Sequence, residues 1–271
     1  MKRPSFESGC GMKRLSMAAA ALVLLGGCVA APQKPDYAPK PATAASTSDA
    51  QTRARVHAEL AAGYFELGNF GVAMQEAEEA LKADANYATA YNVLGLVYME
   101  LRDDTAAEAN FQRALRIAPL DSDSNNNYGW FLCQRKREAE SVKYFLAALR
   151  NPLYASPDRS WVNAGICSRR AGEPALAEDY FQRALKLRPS QPQALFHLAD
   201  LAYRRNSLPE ARGYISQLQR DGMANAETLW LALRVERRLG DRNAEASLGF
   251  QLRKNFPDSR ETRALLAGQF E

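Results

Sequence analysis

The sequence repeats itself with a period of 34 residues, and no other feature constrains the fold as strongly. The clearest copy carries Tyr91, Leu94, Gly95 and Tyr98 in its first half. Copies begin at residues 54, 88, 122, 158, 192 and 226, so four of the five intervals are 34 residues and one is 36. The longer interval contains a proline-containing turn at residues 151–157, where two extra residues cost little. Such a period is typical of a solenoid, in which each unit buries its apolar face against its neighbours.

Each copy follows the tetratricopeptide pattern, in which W-x2-L-G-x2-Y is followed by A, F, A and P at fixed spacings. The second copy fills the later positions with Ala107, Phe111, Ala114 and Pro119. We expect the glycine of helix A to touch a small residue of helix B, such as Ala107 or Ala177, and the aromatic residues to reach the next repeat. The prediction is an all-α, right-handed superhelix of six helix-turn-helix repeats over residues 53–271, closed by a C-terminal capping helix within residues 258–271.

The charge distribution argues against nucleic acid as a partner. The formal net charge is +4, but Lys2, Arg3, Lys13 and Arg14 against Glu7 place +3 of it in the first 27 residues. The rest of the chain therefore carries only +1, the difference between these two values. Proteins that bind phosphate backbones need a basic stripe, which so small an excess does not supply.

The first 28 residues have the features of a bacterial lipoprotein leader. Lys13 and Arg14 precede an apolar run at residues 15–25 that is too short to be a permanent membrane span. The sequence Leu-Gly-Gly-Cys at residues 25–28 fits a lipobox, in which the cysteine thiol receives a diacylglycerol and the chain is cut just before it. We predict a signal peptide at residues 1–27 and a lipid on Cys28, with a plain secretory signal as the alternative. Met12 could equally serve as the start of such a leader.

Residues 28–52 are rich in Pro, Ala, Ser and Thr and have no apolar periodicity, which predicts a disordered tether after the lipidated cysteine. Val29 stands where a signal for retention in the inner membrane would have Asp, which favours the outer membrane. We therefore expect a lipid-anchored protein on the periplasmic face of the outer membrane, in an oxidising compartment.

The chain carries no motif of a known catalytic centre: no Walker loop, G-x-S-x-G, H-E-x-x-H or C-x2-C. His57 and His197 fall at packing or surface positions of their repeats, and Asp121 or Ser122 is interpreted as a helix N-cap. The basic cluster at Arg234, Arg237 and Arg238 is interpreted as a solvated face rather than a site for an anionic partner. We predict no enzymatic activity, no metal, no small-molecule substrate and no cofactor besides the lipid on Cys28.

Binding is the better prospect, because helix A of each repeat lines the concave side of such a solenoid. With the first residue of a copy as position 1, positions 2, 5, 9, 12 and 13 point to that side. The candidate partner-binding groove consists of Phe65, Asn92, Leu96, Met99, Asn126, Trp130, Ile166, Phe196 and Tyr203. Grooves that clamp a carboxylate carry Lys or Arg with Asn, and only the Asn are seen here, so an apolar strand or helix is the expected guest. Alternatively, the chain's own linker or C-terminal helix fills the groove.

Cys133 and Cys167 lie on helix A of consecutive repeats, where their side chains could approach each other. A disulfide and two buried free thiols both remain open, because the tilt between repeats decides the distance.

The run Asn-Asn-Asn-Tyr-Gly-Trp-Phe-Leu-Cys at residues 125–133, with Asn-Ala-Gly-Ile-Cys at 163–167, resembles the PilF/PilW family of type IV pilus biogenesis lipoproteins. Members of that family are pilotins, outer-membrane lipoproteins that help the pilus secretin to reach the outer membrane and assemble into its ring. The resemblance implies that Cys28 is acylated, that Cys133 and Cys167 form a disulfide, and that the secretin is the partner.

Two readings of other classes stand beside the pilotin. A tetratricopeptide lipoprotein could be a scaffold for peptidoglycan synthases or hydrolases, which would co-purify with it. A lipid-anchored enzyme would need a polar, titratable pocket, and the concave positions identified above provide none.

Overall fold

The computed structural model describes residues 45–220, 222–223 and 225–270, a part of the chain that forms thirteen α-helices and no strand. The helices are α1 (Ala45–Glu66), α2 (Phe70–Ala83), α3 (Ala88–Glu100), α4 (Asp104–Ile117), α5 (Ser122–Gln134), α6 (Glu138–Ala148), α7 (Pro157–Arg170), α8 (Pro174–Leu187), α9 (Pro192–Arg204), α10 (Leu208–Arg220), α11 (Ala226–Leu239), α12 (Arg242–Asn255) and α13 (Arg260–Leu266). Consecutive helices pack together, and each odd-numbered helix also contacts the next odd-numbered one. The odd-numbered helices therefore line one side of the array, and the predicted all-α superhelix is confirmed.

The first helix begins earlier than the repeat pattern indicates. Helix α1 starts at Ala45, so the prediction that the disordered tether extends to residue 52 is wrong for its last eight residues. The physical reason is that no proline lies between Pro41 and the end of α1, so nothing interrupts the helix that buries Ala54 and Ala58. The predicted signal peptide, Cys28 and the rest of the tether lie outside the described residues. No helix of the described part is both long and apolar enough to cross a membrane.

Within the second, third and fourth repeats, a glycine on helix A faces a phenylalanine on helix B sixteen residues later. The pairs are Gly95–Phe111, Gly129–Phe145 and Gly165–Phe181. A Cβ atom on Gly165 would lie 2.5 Å from the ring of Phe181, so no larger residue fits. The expectation that Ala107 or Ala177 would face these glycines stays a prediction. The phenylalanine rings are the nearest neighbours, and Ser141, at the same repeat position as those alanines, has its backbone oxygen 3.1 Å from a Cβ atom placed on Gly129.

The same two positions explain why the last repeats look degenerate in sequence. Ala199 stands opposite Ile215 in the fifth repeat, and in the sixth the sizes are exchanged, with Leu233 beside Gly249. A Cβ atom on Gly249 would lie 3.6 Å from Leu233, an ordinary van der Waals contact. In the second to sixth repeats the fold therefore pairs a small residue with a larger one, whichever helix carries it, whereas the first repeat has Ala61 and Ala77 at these positions.

The C-terminal end is closed by α13, which packs against α11 and α12. Ser259 caps this helix by accepting a hydrogen bond from the backbone N–H of Thr262. Beyond the helix, the ring of Phe270 stacks on Trp230 of α11 with 5.5 Å between ring centres. The last residues thus cover part of the final repeat.

Candidate partner-binding surface

Four asparagines connect helix A of the second, third and fourth repeats, and we call Asn92, Asn126, Asn127 and Asn163 the asparagine ladder. The amide of Asn127 donates to Asn92 at 3.2 Å, and that of Asn126 donates to Asn127 at 3.3 Å. The Oδ1 atom of Asn126 accepts from Asn163 at 3.0 Å and from the hydroxyl of Ser160 at 2.9 Å. These bonds join α3, α5 and α7 without any charged group.

Three of the nine residues predicted for the groove are buried, two in the asparagine ladder and one in the hydrophobic core. Asn92 and Asn126 are buried within the ladder, and Met99 is buried among Phe111, Tyr128 and Phe131. None of these three offers appreciable side-chain surface to a partner. The other six are half-buried: Phe65, Leu96, Trp130, Ile166, Phe196 and Tyr203. Their role in partner binding stays a prediction.

The concave side of the last repeats is charged, which contradicts the expectation of a groove without basic residues. The carboxylate of Asp200 accepts from Arg169 at 2.6 Å and from Arg204 at 2.8 Å. The Cζ atom of Arg234 lies 4.9 Å from the ring centre of Tyr203 and 5.8 Å from that of Trp230. The interpretation of Arg234 as part of a solvated face is therefore wrong. Its guanidinium packs on the rings of Tyr203, in the fifth repeat, and Trp230, in the sixth.

These side chains line a cleft of about 750 Å³, which we call the arginine cleft. Its lining includes Arg169, Phe196, Asp200, Arg204, Trp230 and Arg234, with residues of α13 on the far wall. The sequence contains a signal for this cleft, because position 9 of helix A is apolar in the first four copies and becomes Asp200 and Arg234 in the fifth and sixth.

A second surface, which the sequence analysis missed, lies on the first helix and on the residue that follows it, Leu67. Val56, Leu60 and Leu67 are 42%, 45% and 81% exposed, and together with Tyr64 they form an apolar band that we call the α1 strip. In the second repeat, the residue corresponding to Leu60 is Leu94, which is buried against its neighbours. Leu60 is exposed because, among the described residues, no helix precedes α1 to cover it.

The structure joins Cys133 of α5 to Cys167 of α7 in a disulfide, with 5.9 Å between the Cα atoms. Both residues are fully buried and pack with Phe145, Ala164 and Tyr180. The bond therefore connects the third repeat to the fourth, across the turn at residues 151–157.

Comparison with known proteins identifies the family of this chain. The family model described as tetratricopeptide repeat matches residues 59–122, 105–158 and 168–226. The type IV pilus assembly protein PilF of Pseudomonas aeruginosa is 32% identical over 203 residues, which cover 75% of this chain and 81% of that protein. The crystal structure of PilW, described as a widely conserved type IV pilus biogenesis factor, is 35% identical with a TM-score of 0.71, over 79% of this chain and 98% of that one.

The chain belongs to the PilF/PilW family of type IV pilus biogenesis proteins built from tetratricopeptide repeats. A second solved structure, that of Pseudomonas aeruginosa PilF, agrees with this at a TM-score of 0.74 and 30% identity, over 82% of this chain and 99% of that one.

In this member of the PilF/PilW family, the run at residues 125–133 that carries the resemblance lies at the centre of the array. Asn125 fastens the start of α5 by donating to the backbone carbonyls of Pro119 and Asp121 at 3.0 and 2.8 Å. Tyr128 is buried and donates to Glu108 at 2.7 Å, and its burial raises the pKa of the phenol to about 12. Asp121 caps the same helix by accepting from the N–H of Ser124, which confirms that prediction.

The two histidines of this PilF/PilW-family chain contact neighbouring helices. His197 stacks on Phe181 with 5.0 Å between ring centres. Its burial, reinforced by the positive charge of Arg169, lowers its pKa to about 4, so the ring is neutral near pH 7. His57 meets Glu76 of α2 at 2.7 Å. Both contacts are consistent with roles in packing.

Proposed function

We propose that the protein is an outer-membrane lipoprotein and a pilotin: it binds the type IV pilus secretin through its repeats and promotes the localisation and multimerisation of the secretin. Membership of the PilF/PilW family supports a role in pilus biogenesis. The lipobox at residues 25–28 supports an anchor made of a diacylglycerol on Cys28, with no other cofactor. The buried disulfide suits the oxidising periplasm.

The observation that carries the proposal is the α1 strip. A band of large apolar side chains exposed at the open end of a solenoid is a surface that a partner helix can cover, as the preceding repeat does elsewhere in the array. We propose that an apolar segment of the secretin packs here. The half-buried concave residues Leu96 and Trp130 are the second candidate contact. The lipid anchor would then concentrate bound secretin monomers at the membrane and favour ring assembly.

The test uses a strain that lacks this gene, in which heat- and detergent-resistant secretin multimers are detected on gels of outer-membrane extracts. Wild-type protein should restore the multimers, whereas Cys28→Ala and the double variant Leu60→Asp/Leu67→Asp should not. Leu153→Asp is the matched control, because Leu153 is an equally apolar residue that is exposed in the loop between α6 and α7. Leu96→Arg tests the concave contact in the same assay.

Three results would contradict parts of this proposal. Multimers restored by Cys28→Ala would remove the role of the lipid, and multimers restored by the α1 variant but not by Leu96→Arg would move the contact to the concave side. Multimers that form without the gene, together with co-purification of peptidoglycan synthases or hydrolases, would replace the pilotin by a cell-wall scaffold.

A further inference from the structure

The arginine cleft has more positive than negative side chains. Five arginines line it, three of them from the repeats and two from α13, against Asp200, Glu227 and Glu261. Asp200 is already engaged by Arg169 and Arg204. The rim adds further positive charge, because position 13 of the last three copies is an exposed arginine. These rim residues are Arg204, which also lines the cleft, and the further arginines Arg170 and Arg238. The cleft therefore attracts negatively charged groups.

Arg234 has hydrogen-bonding capacity that the described residues do not use. Its Nε atom is buried and has no hydrogen-bond partner among them, and no carboxylate there lies within ion-pair distance of its guanidinium. The faces of Tyr203 and Trp230 attract the guanidinium through their π systems, but this contact does not use the N–H donors in its plane. A carboxylate in the cleft would satisfy these donors with charge-assisted hydrogen bonds.

Aromatic side chains lie next to the charged groups. Phe196 and Trp230 line the same cleft, and the ring of Phe270 stacks on Trp230. A ligand that fits this arrangement combines carboxylates with aromatic or large apolar groups. The cleft volume of about 750 Å³ lies within the range of ordinary ligand pockets and accommodates a short peptide segment rather than a folded domain.

We propose that the arginine cleft is a second binding site, which takes an extended, acidic segment of a partner protein with aromatic residues next to its Asp or Glu. The carboxylates bind Arg234 and the neighbouring arginines, and an aromatic side chain packs on Trp230. This site does not depend on the function proposed above, because the α1 strip is apolar and belongs to the first repeat, whereas the cleft belongs to the last three.

The probe is a fluorescein-labelled octapeptide of alternating Asp and Phe with an amidated C-terminus, titrated with the full-length protein and followed by fluorescence anisotropy. We expect saturable binding that weakens as NaCl is raised, because screening acts on the charged contacts. The counterpart peptide with Asn in place of Asp should bind about tenfold more weakly or worse.

Arg234→Gln should weaken binding of the acidic peptide by about tenfold. Arg116→Gln is the matched control, because Arg116 is exposed on α4 and should leave the affinity unchanged. If Arg234→Gln lowers the thermal unfolding temperature measured by circular dichroism, Arg204→Gln replaces it, since that side chain is 68% exposed. The proposal is overturned if the acidic peptide does not bind, if the Asn peptide binds equally well, or if a folded cleft variant binds like wild type.

Discussion

The concave side of the first three repeats differs from that of the last three, although the same helix positions form both. Position 9 changes from apolar to charged along the chain, as Ala62, Leu96, Trp130, Ile166, Asp200 and Arg234. Position 13, at the exposed rim, changes from acidic to basic, as Glu66, Glu100, Gln134, Arg170, Arg204 and Arg238. In the earlier repeats helix A is joined to helix A by neutral amides, and in the later ones by a buried carboxylate between arginines.

This difference shows that the residues that pack the repeats together and the residues that form the concave surface vary independently of each other. The frame pairs a small with a larger residue at its internal positions in the second to sixth repeats, so both halves contain such pairs. The concave positions are free to vary, so one array can present an apolar face at one end and an anion-binding face at the other. The disulfide between Cys133 and Cys167 lies where these halves meet.

The largest effect should come from the internal frame, and it should be equal in the two halves. Phe145→Ala and Phe181→Ala each remove a fully buried ring that packs on a glycine, and each should lower the free energy of unfolding by about 3–5 kcal/mol. Urea unfolding followed by circular dichroism measures both, with the exposed Phe250→Ala as control. A much smaller loss in one half would show that the halves do not share their packing.

Removal of the disulfide should come next, because it acts on the connection between the halves. The Cys133→Ala/Cys167→Ala variant loses a bond that closes a loop of 34 residues, and the free energy of unfolding should fall by about 3–4 kcal/mol. We expect the urea transition to broaden or divide in two, since solenoid repeats are coupled mainly to their neighbours. An unchanged midpoint and a single sharp transition would mean that packing alone couples the halves.

Acidification should destabilise the last three repeats, because it protonates His197. Its pKa in the folded state is lowered to about 4, below the ordinary value near 6.5, so the unfolded chain takes up the proton first. The contribution of the neutral His197 ring to the free energy of unfolding is complete above about pH 6.5. It decreases by roughly 3 kcal/mol as the pH falls to about 4. His197→Leu should flatten this part of the pH profile and His57→Leu should not. Equal slopes for wild type and His197→Leu would contradict the prediction.

The smallest effect distinguishes the two kinds of connection between helices. Asn126→Ala leaves the donors of Ser160 and Asn163 without their acceptor, and Asp200→Asn weakens two arginine contacts; each should cost about 2 kcal/mol. Asp200 is only 8% exposed, but its arginine partners reach solvent, so the loss in Asp200→Asn should shrink at high salt. The loss in Asn126→Ala should not depend on salt, and a salt effect of equal size in both variants would refute the distinction.

The exposure of Leu60 and the inward orientation of Arg234 do not follow from the repeat pattern, and the reason is the same for both. Leu60 occupies a position that packs against the preceding repeat elsewhere, and the repeat pattern does not reveal that in the described part of the chain no helix precedes α1 to cover this position. Arg234 belongs to a run of arginines on an amphipathic helix, and only its contacts with Tyr203 and Trp230 reveal that it points into the arginine cleft. Tyr203 belongs to the preceding repeat, so the period of a single helix cannot predict that contact.

The sequence by itself determined the period, the helix pairs, the glycine positions and the N-cap at Asp121, because these depend on residues close in the chain that recur at a fixed spacing. Only the tertiary structure decided that phenylalanine rings fill the space beside the glycines, that the asparagines form a ladder, and that the arginines enclose a cleft. These features join side chains from different helices, most of them in different repeats. The distances between these side chains are therefore set by how the helices tilt and stack, which the sequence pattern of a single helix does not specify.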